Sequence, residues 1–146
     1  MNRISAKEYV HDLASHLFQS YNAAQQGINL RVEVEDLSFS IDTAIPCGLI
    51  INELVTNSLK HAFKHGMLGE IVVDMKYRQD NKFVLTVKDN GLGLPSTLMV
   101  EKPETLGFSL IQSLIRQLDA KLEIEINKGT EFSITFSILN IRGGNN

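Results

Sequence analysis

The stretch KDNGLGLP, residues 88–95, places one carboxylate and two glycines within a few positions of one another. Asp89 carries an acceptor-only group when ionised, so it must find donors if it is even partly buried. The exocyclic amine of adenine is such a donor. Gly91 and Gly93 would let the backbone pass close to a flat base that a side chain would block. Because an acid with two glycines is also common in turns, the octet is either a plain turn or a loop shaped around a ligand.

A second group of polar residues lies in the stretch NELVTNSLKHAF, residues 52–63. On a helix the side chains of four of them fall within about 100° of one another, namely Glu53, Asn57, Lys60 and His61. The opposite face is apolar, with Ile51, Val55, Leu59 and Ala62. A solvated helix surface would also give this pattern. However, Asn52 and Asn57 are poor helix formers whose amides favour defined partners.

These residue types suit phosphate chemistry. The amide oxygen of Asn57 can take one place in a Mg²⁺ shell otherwise filled by water and phosphate. Glu53, one turn earlier, can orient a water molecule or accept a proton, and Lys60 can reach a phosphate oxygen.

Two further segments carry glycines next to polar groups. In TLGFSL, Gly107 stands at the start of a predicted helix, whose free N–H groups and positive dipole end suit phosphates. In KGTEF, Gly129 and Thr130 lie at a predicted β-turn, where the threonine hydroxyl could help a carboxylate hold a base. An ordinary glycine before a helix and ordinary turn chemistry explain the two segments equally well.

The N-terminal third predicts one helix followed by two strands. Apolar residues at helical spacing from Ser5 to about Ala24 indicate an amphipathic helix, which Gly27 ends. The stretch NLRVEVEDLSFSID alternates with period two on both sides of Glu35-Asp36, so we expect a hairpin there.

The middle of the chain predicts a helix and an antiparallel pair of strands. Asp42 or Thr43 would cap the helix, which would carry Pro46 in its first turn and end near Lys64. The runs GEIVVDMKYR and KFVLTVKD form the strand pair, which puts the octet at a strand end. Residues 94–105 lack apolar periodicity and contain two prolines, which favours a mobile lid.

The C-terminal third predicts a helix and a last pair of strands. The helix has one apolar stripe, formed by Leu106, Leu110, Ile111, Leu114, Ile115 and Leu118. KLEIEIN and TEFSITFSIL then alternate around Lys128-Gly129, and residues 142–146 are expected to be a disordered tail. This order predicts an α+β fold, a two-layer sandwich in which about three helices cover one face of a mixed, mostly antiparallel sheet.

In order and spacing the four segments resemble the GHKL (Bergerat-fold) ATPases, and most closely the catalytic domain of sensor histidine kinases. The resemblance covers roughly residues 28–140. NELVTNSLKHAF resembles the N box, DNGLGLP the first glycine box, TLGFSL the second, and GTEF the glycine-threonine element of the last strand. The short lid without an evident phenylalanine box is similar to kinases whose dimerisation domain is of the HisKA_2 type. Relatives often have paired glycines after the lid helix, where this chain has Asp119-Ala120.

The resemblance implies ATP and Mg²⁺ as cofactors and a role for each site residue. Asn57 would ligate the metal, and Glu53, Asn57 and Lys60 would form the catalytic group. Asp89 would bind adenine. The residues implied to contact ATP are Asn57, Lys60, His61, Asp89, Gly91, Gly93, Leu94, Leu106, Gly107, Phe108, Ser109, Leu110 and Thr130.

Composition argues against several other classes of protein. The chain has 146 residues, of which 43% are hydrophobic, and this fits one globular domain. A net charge of −3 without a basic run argues against a nucleic-acid partner. No apolar stretch approaches the roughly 20 residues that span a bilayer, so we expect a cytoplasmic domain without direct membrane contact. There is no Walker-type P-loop, and the single Cys47 can form no intrachain disulfide.

The sequence HDL at His11 superficially resembles the start of a phosphoacceptor box. In the family that the chain resembles, however, the acceptor histidine lies on a two-helix hairpin, whereas only one helix precedes the first predicted strand. We therefore expect residues 1–27 to pack on, or link to, a dimerisation hairpin absent from this chain, and residues 28–141 to be the ATP-binding catalytic domain.

The predicted function is donation of the γ-phosphate of Mg²⁺·ATP to a histidine on that hairpin, with a response regulator downstream. One alternative is a GHKL serine kinase of the anti-sigma type, with Glu53 as the base. The other is a degenerate nucleotide-binding module.

Overall fold

The computed structural model describes residues 3–63, 66–92 and 108–137. In chain order their elements are β1 (Arg3–Ser5), α1 (Ala6–Ser20), a 3₁₀ turn (Ala24–Gln26), β2 (Ile28–Val34), β3 (Ser38–Ser40), α2 (Ile41–His61), β4 (Gly69–Arg78), β5 (Lys82–Asp89), α3 (Phe108–Gln117), β6 (Lys121–Ile126) and β7 (Thr130–Ser137). The predicted lid, residues 94–105, and the predicted tail, residues 142–146, lie outside the described residues.

Five strands form the main sheet, in the order β2-β4-β5-β7-β6. The last four in this order are antiparallel neighbours, whereas β2 runs parallel to β4. Alternate residues of β5 are buried, as in Phe83, Leu85 and Val87, and they form one core with the buried side chains of all three described helices. The predicted α+β sandwich with a mixed, mostly antiparallel sheet is confirmed.

The predicted hairpin around Glu35-Asp36 is wrong. β2 pairs with β4, and β3 pairs instead with β1, a strand that the sequence pattern did not predict. The Glu35 N–H donates to the Met75 carbonyl at 3.0 Å, and the Glu35 carboxylate accepts from the Tyr77 N–H at 2.8 Å. Beyond β2 the chain therefore continues along β4 instead of turning back, and α2 lies in the crossover that two parallel neighbours need.

The first helix is shorter than predicted. α1 begins after Ser5, whose hydroxyl accepts from the Glu8 N–H at 3.2 Å. It ends at Ser20, because Asn22 adopts a φ of 53°, which is left-handed and stops the helix.

The second helix starts one residue before Asp42, and its N-cap is Ser40 rather than Asp42 or Thr43. Pro46 therefore lies in the second turn instead of the first. Cys47 is buried in this helix, and burial raises the pKa of its thiol to about 12, so it is a neutral core side chain. α2 ends at His61, earlier than expected, and Lys64 lies outside the described residues.

Ile111 and Leu114 of the third helix, and Leu118 directly after it, lie in the core, as the apolar stripe predicts. Leu110 is 42% exposed, so its assignment to that stripe is wrong. Leu106 lies outside the described residues. Across the parts of the chain that the structure describes, none of the helices has both the length and the apolar character needed to cross a bilayer.

Candidate functional site

The carboxylate of Asp89 is buried at the end of β5, and only 5% of the residue is exposed. Strand alternation explains this, because Leu85 and Val87 face the core and Asp89 is in phase with them. Asp89 Oδ2 accepts from the Ser58 hydroxyl at 2.8 Å, and Oδ1 accepts from the Gly91 N–H at 3.0 Å. Among the described residues, each carboxylate oxygen thus has one identified donor, and a carboxylate oxygen can accept more than one hydrogen bond.

Ser58 is the residue that the sequence analysis missed. It follows Asn57 on α2 but belongs to the buried side of the helix, in helical phase with Leu54 and Ala62. A hydroxyl among core side chains needs a hydrogen-bond partner, and here the partner lies 31 residues further along the chain. The helical phase alone would have marked Ser58 as a polar residue in the core, although it would not have identified Asp89 as its partner.

The chain after β5 is held against two other elements. The Asn90 side-chain oxygen accepts from the Glu70 N–H at 2.8 Å, and the Leu92 N–H donates to the Ala62 carbonyl at 2.7 Å. A Cβ atom on Gly91 would overlap the Ala62 carbonyl oxygen, so only glycine fits there. The structure thus adds a packing reason for Gly91 to the ligand approach predicted from the sequence.

The neighbouring strand contributes Thr130, which lies directly opposite Asp89 in the β5–β7 register and is 2% exposed. Gly129 precedes it with a φ of 129°, and a Cβ atom at this position would overlap the Asp89 carbonyl oxygen. The turn between β6 and β7 therefore packs directly on the end of β5. The structure brings together three predicted site residues, Asp89, Gly91 and Thr130. Ser58 joins them as a fourth member that the sequence did not predict.

A cavity of about 170 Å³ opens at this end of the sheet, lined by Lys88, Asp89, Glu125, Asn127, Lys128, Gly129, Thr130 and Glu131; none of these residues belongs to α2, so this cavity alone does not define the site. A larger depression of about 680 Å³ lies elsewhere, lined by Tyr77, Arg78, Gln79, Val84, Glu123, Ser133 and Thr135. The larger depression contains none of the predicted site residues. We place the site at the strand end because buried polar groups converge there, and size alone identifies no chemistry.

The polar face of α2 extends away from Asp89. Glu53 and Asn57 are half-buried, whereas Lys60 and His61 are exposed. Asn57 is the residue before Ser58, and Glu53 lies about 6 Å further along the helix axis at 1.5 Å per residue. The polar groups therefore form a line from the buried carboxylate along α2, which suits an elongated ligand.

The side-chain oxygens on α2 that could ligate a metal ion suit a Mg²⁺ ion that is also bound by phosphates. Asn57 offers one neutral amide oxygen, and in the ranges 3–63, 66–92 and 108–137 no three carboxylate, imidazole or thiol groups converge as a metal site. Mg²⁺ commonly takes only one or two protein ligands and fills its shell with water and substrate phosphates. The donors fit that kind of binding and do not form an all-protein cage.

The remaining predicted residues are only partly described. Gly93, Leu94, Leu106 and Gly107 lie outside the described residues. Phe108 is buried as the first described residue of α3, Ser109 and Leu110 are exposed, and α3 packs against α2.

Comparison with known proteins identifies the family. Residues 42–140 match the family described as histidine kinase-, DNA gyrase B-, and HSP90-like ATPase. The chain is 27% identical over 97 residues to the blue-light-activated histidine kinase 2 of Erythrobacter litoralis, covering 66% of this chain and 28% of the relative. It is 33% identical over 82 residues to the sensor histidine kinase PdtaS of Mycobacterium tuberculosis, covering 56% of this chain and 16% of the relative. The chain thus spans less than a third of the length of either kinase.

A further relative is nearly matched in length. The anti-sigma F factor of Geobacillus kaustophilus is 25% identical over 122 residues, covering 77% of this chain and 82% of the relative.

Solved structures share the fold. The histidine kinase domain of the Erythrobacter litoralis EL346 blue-light activated histidine kinase gives a TM-score of 0.84 at 24% identity, covering 94% of this chain and 63% of that chain. The catalytic domain of the histidine kinase ThkA gives a TM-score of 0.75 at 19% identity, covering 93% of this chain and 94% of that chain. At these identities the likeness establishes the fold.

The contact between Gly91 and α2 yields a first prediction. Gly91→Ala should lower the free energy of unfolding by about 2–3 kcal/mol, because the new methyl group overlaps a backbone carbonyl that is fixed by its hydrogen bond. Urea unfolding followed by circular dichroism measures this loss. Gly66→Ala is the control, since no atom lies within 4 Å of its Cβ position and its φ of 83° adds only backbone strain. Equal losses for the two variants would show that packing against Ala62 does not require glycine.

Proposed function

The chain belongs to the family of histidine kinase-, DNA gyrase B- and HSP90-like ATPases, and from that membership we propose that it is the Mg²⁺·ATP-binding catalytic domain of a two-component sensor histidine kinase. In this proposal the γ-phosphate passes to a histidine on a dimerisation domain absent from this chain. Both kinases named above are sensor or light-activated histidine kinases, and this supports the choice within the family.

One observation carries the proposal, namely the buried carboxylate of Asp89 held beside the polar face of α2. An ionised carboxylate at 5% exposure presents acceptors only, and the residue before its hydroxyl partner Ser58 is Asn57. A ligand that places an amine on Asp89 can therefore extend its phosphates along α2 past Asn57 and Glu53. ATP has both groups in that order.

The proposed mechanism relies on positioning. Asp89 accepts a hydrogen bond from the exocyclic amine of adenine, and Thr130 borders the base from β7. The Asn57 amide oxygen would hold Mg²⁺, which when bound neutralises charge on the phosphates. Lys60 would contact a phosphate oxygen, and Glu53 would orient the incoming nucleophile or take its proton. Holding the phosphoryl group and its acceptor in line supplies most of the rate.

The proposed partners follow from this reaction. The acceptor is the dimerisation and phosphoacceptor domain of the same kinase, and a response regulator receives the phosphoryl group downstream. Side chains of α1 belong to the same core as those of β2 and α2, so we propose that residues 1–27 connect residues 28–141 to that dimerisation domain. We also propose that the domain lies in the cytoplasm, where ATP is available, without direct membrane contact.

A second candidate is a serine kinase of the anti-sigma type. The match to the Geobacillus kaustophilus anti-sigma F factor covers 82% of that protein, so a similar protein needs little more than this one domain. In this alternative Glu53 would act as the base for a serine hydroxyl on a partner protein.

Calorimetry and phosphotransfer together test the proposed function. We expect the chain to bind Mg²⁺·ATP, to acquire no label alone with γ-labelled ATP, and to place acid-labile label on a recombinant dimerisation domain. Acid-labile label on His11 would contradict the assignment of the acceptor to another domain. Acid-stable label on a partner serine would favour the anti-sigma alternative, and absence of ATP binding would refute both.

Asn57→Ala should weaken Mg²⁺-dependent ATP binding but leave metal-free adenosine binding nearly unchanged. The reason is that the amide oxygen is proposed to touch the metal and not the base. Titration calorimetry with each ligand measures both affinities. Equal losses for ATP and adenosine would contradict the metal-ligand role and point to a general disturbance of α2.

Asp89→Ala should weaken ATP binding by roughly 10- to 150-fold, since a hydrogen bond to a charged group contributes about 1.5–3 kcal/mol. It should also reduce the preference for ATP over GTP, because guanine presents a carbonyl oxygen where adenine has an amine. Calorimetry with both nucleotides measures the two effects, and circular dichroism checks the fold. The control is Asp74→Ala, which removes a carboxylate paired with Lys76 at 3.3 Å. If a folded Asp89→Ala variant binds ATP as tightly as the wild type, Asp89 has no role in nucleotide binding and is only a turn residue.

A further inference from the structure

The hydroxyl of Ser58 has only one hydrogen to donate, and it donates this hydrogen to Asp89 Oδ2 at 2.8 Å. Ser58 is 7% exposed and lies on the core side of a 21-residue helix. Its oxygen can still accept a hydrogen bond but can donate none. Ser58 and Asp89 together therefore present only acceptors to a neighbouring molecule.

The two donors to Asp89 come from different elements. Gly91 N–H, on the strand's own exit, binds Oδ1 at 3.0 Å, while Ser58, on α2, binds Oδ2. The terminal torsion of an aspartate is broad, so a carboxylate held by one donor can rotate. With donors on both oxygens the plane of the carboxylate is fixed, and so are the directions of its remaining lone pairs.

We propose that Ser58 is a positioning residue that determines selectivity for adenine. By fixing Asp89 Oδ2, its hydroxyl aims the free acceptor capacity of the carboxylate at the exocyclic amine of the base. This inference rests on the proposed function, and it assigns a specificity role to a residue outside the group expected to contact the nucleotide. Loss of the hydroxyl reduces selectivity for the amine while the phosphate contacts along α2 remain.

A purely structural role for Ser58 would also make its removal harmful, so stability cannot be the readout. The distinguishing property is the group at position 6 of the purine. Purine riboside triphosphate carries hydrogen where ATP carries the amine, and the two ligands share the ribose and the triphosphate. A residue that acts through Asp89 on the amine affects only ATP binding, whereas a residue that merely supports the fold affects both ligands equally.

The experiment is calorimetric titration of the wild type and Ser58→Ala with Mg²⁺·ATP and with Mg²⁺·purine riboside triphosphate. Ser58→Ala should weaken ATP binding by about 3- to 30-fold, less than the loss of the carboxylate itself, and leave the analogue within about 2-fold of wild type. In an Asp89→Ala background, Ser58→Ala should cause no further loss for ATP, since the hydroxyl acts only through the carboxylate.

The chain offers a matched control. Ser133 also donates its hydroxyl to a carboxylate, that of Glu131 at 3.5 Å, but it is out of phase with the buried residues of β7 and so points away from the core. Ser133→Ala should alter neither affinity. If Ser58→Ala does not fold by circular dichroism, Ser58→Cys provides the test, because a thiol is a weaker donor and should give an intermediate loss for ATP alone.

Each outcome decides the inference. Equal losses for ATP and the analogue, or unchanged affinity for both, would overturn it while leaving the proposed function intact. A wild type that fails to bind ATP at all would overturn the proposed function and the inference together. A loss confined to ATP in Ser58→Ala, absent in the Asp89→Ala background, would establish Ser58 as the positioning residue.

Discussion

A buried carboxylate sets the main constraint on this domain. Moving an ionised group out of water costs several kcal/mol even after the protein relaxes, and Asp89 is 5% exposed. Hydrogen bonds to a charged group return about 1.5–3 kcal/mol each, so the two observed donors are needed to offset a cost of this size. They do so only while α2 lies against the end of β5 and the chain turns at Gly91. A ligand amine would add a third donor, so the same group that constrains the packing of helix on sheet also favours binding.

The second helix contacts the sheet with one side and presents polar groups on the other, and neighbouring residues in the sequence belong to these two sides. Ser58 points into the core toward Asp89, and Asn57 immediately before it lies on the half-buried polar face. At the helix end, Ala62 accepts from the Leu92 N–H and leaves no room for a side chain at Gly91. α2 is therefore fixed to the exit of β5 at two places one helical turn apart. Because Ser58 and Ala62 lie on the same side of the helix, a rotation of α2 would disturb both contacts, and they therefore help to hold the polar face in its orientation.

Local sequence patterns predicted most helices and strands and their buried faces. They failed where strand pairing or a hydrogen bond involved a residue far away in the sequence. A high content of β-forming residues identified β4 and β5, period-two alternation identified β6 and β7, and helical spacing identified α2 with its polar and apolar sides. Alternation shows which face of a strand is buried but not which strand lies beside it. The hairpin around Glu35 was therefore wrong, since the partners of that residue are Met75 and Tyr77. Ser58 was missed for the same reason. Its position on the buried side of the helix follows from the local sequence, but its hydrogen bond is to a residue far along the chain. Gly93, Leu94, Leu106 and Gly107 lie outside the described residues, and their roles remain predictions.

In the proposed function, recognition of the base is separate from the choice of the phosphoryl acceptor. Asp89, Ser58, Gly129 and Thr130 are held by a strand end, a helix and a tight turn, which are rigid elements supported by one core. Glu53, half-buried, and Lys60, exposed, lie on the polar face of α2, five residues before and two residues after Ser58, and in the proposed function the acceptor approaches this face. In the two proposed functions a histidine or a serine would approach this same face of α2. On this proposal the base-binding end selects the nucleotide and the approaching surface selects the acceptor, which agrees with the chain's similarity both to relatives named as histidine kinases and to one named as an anti-sigma factor.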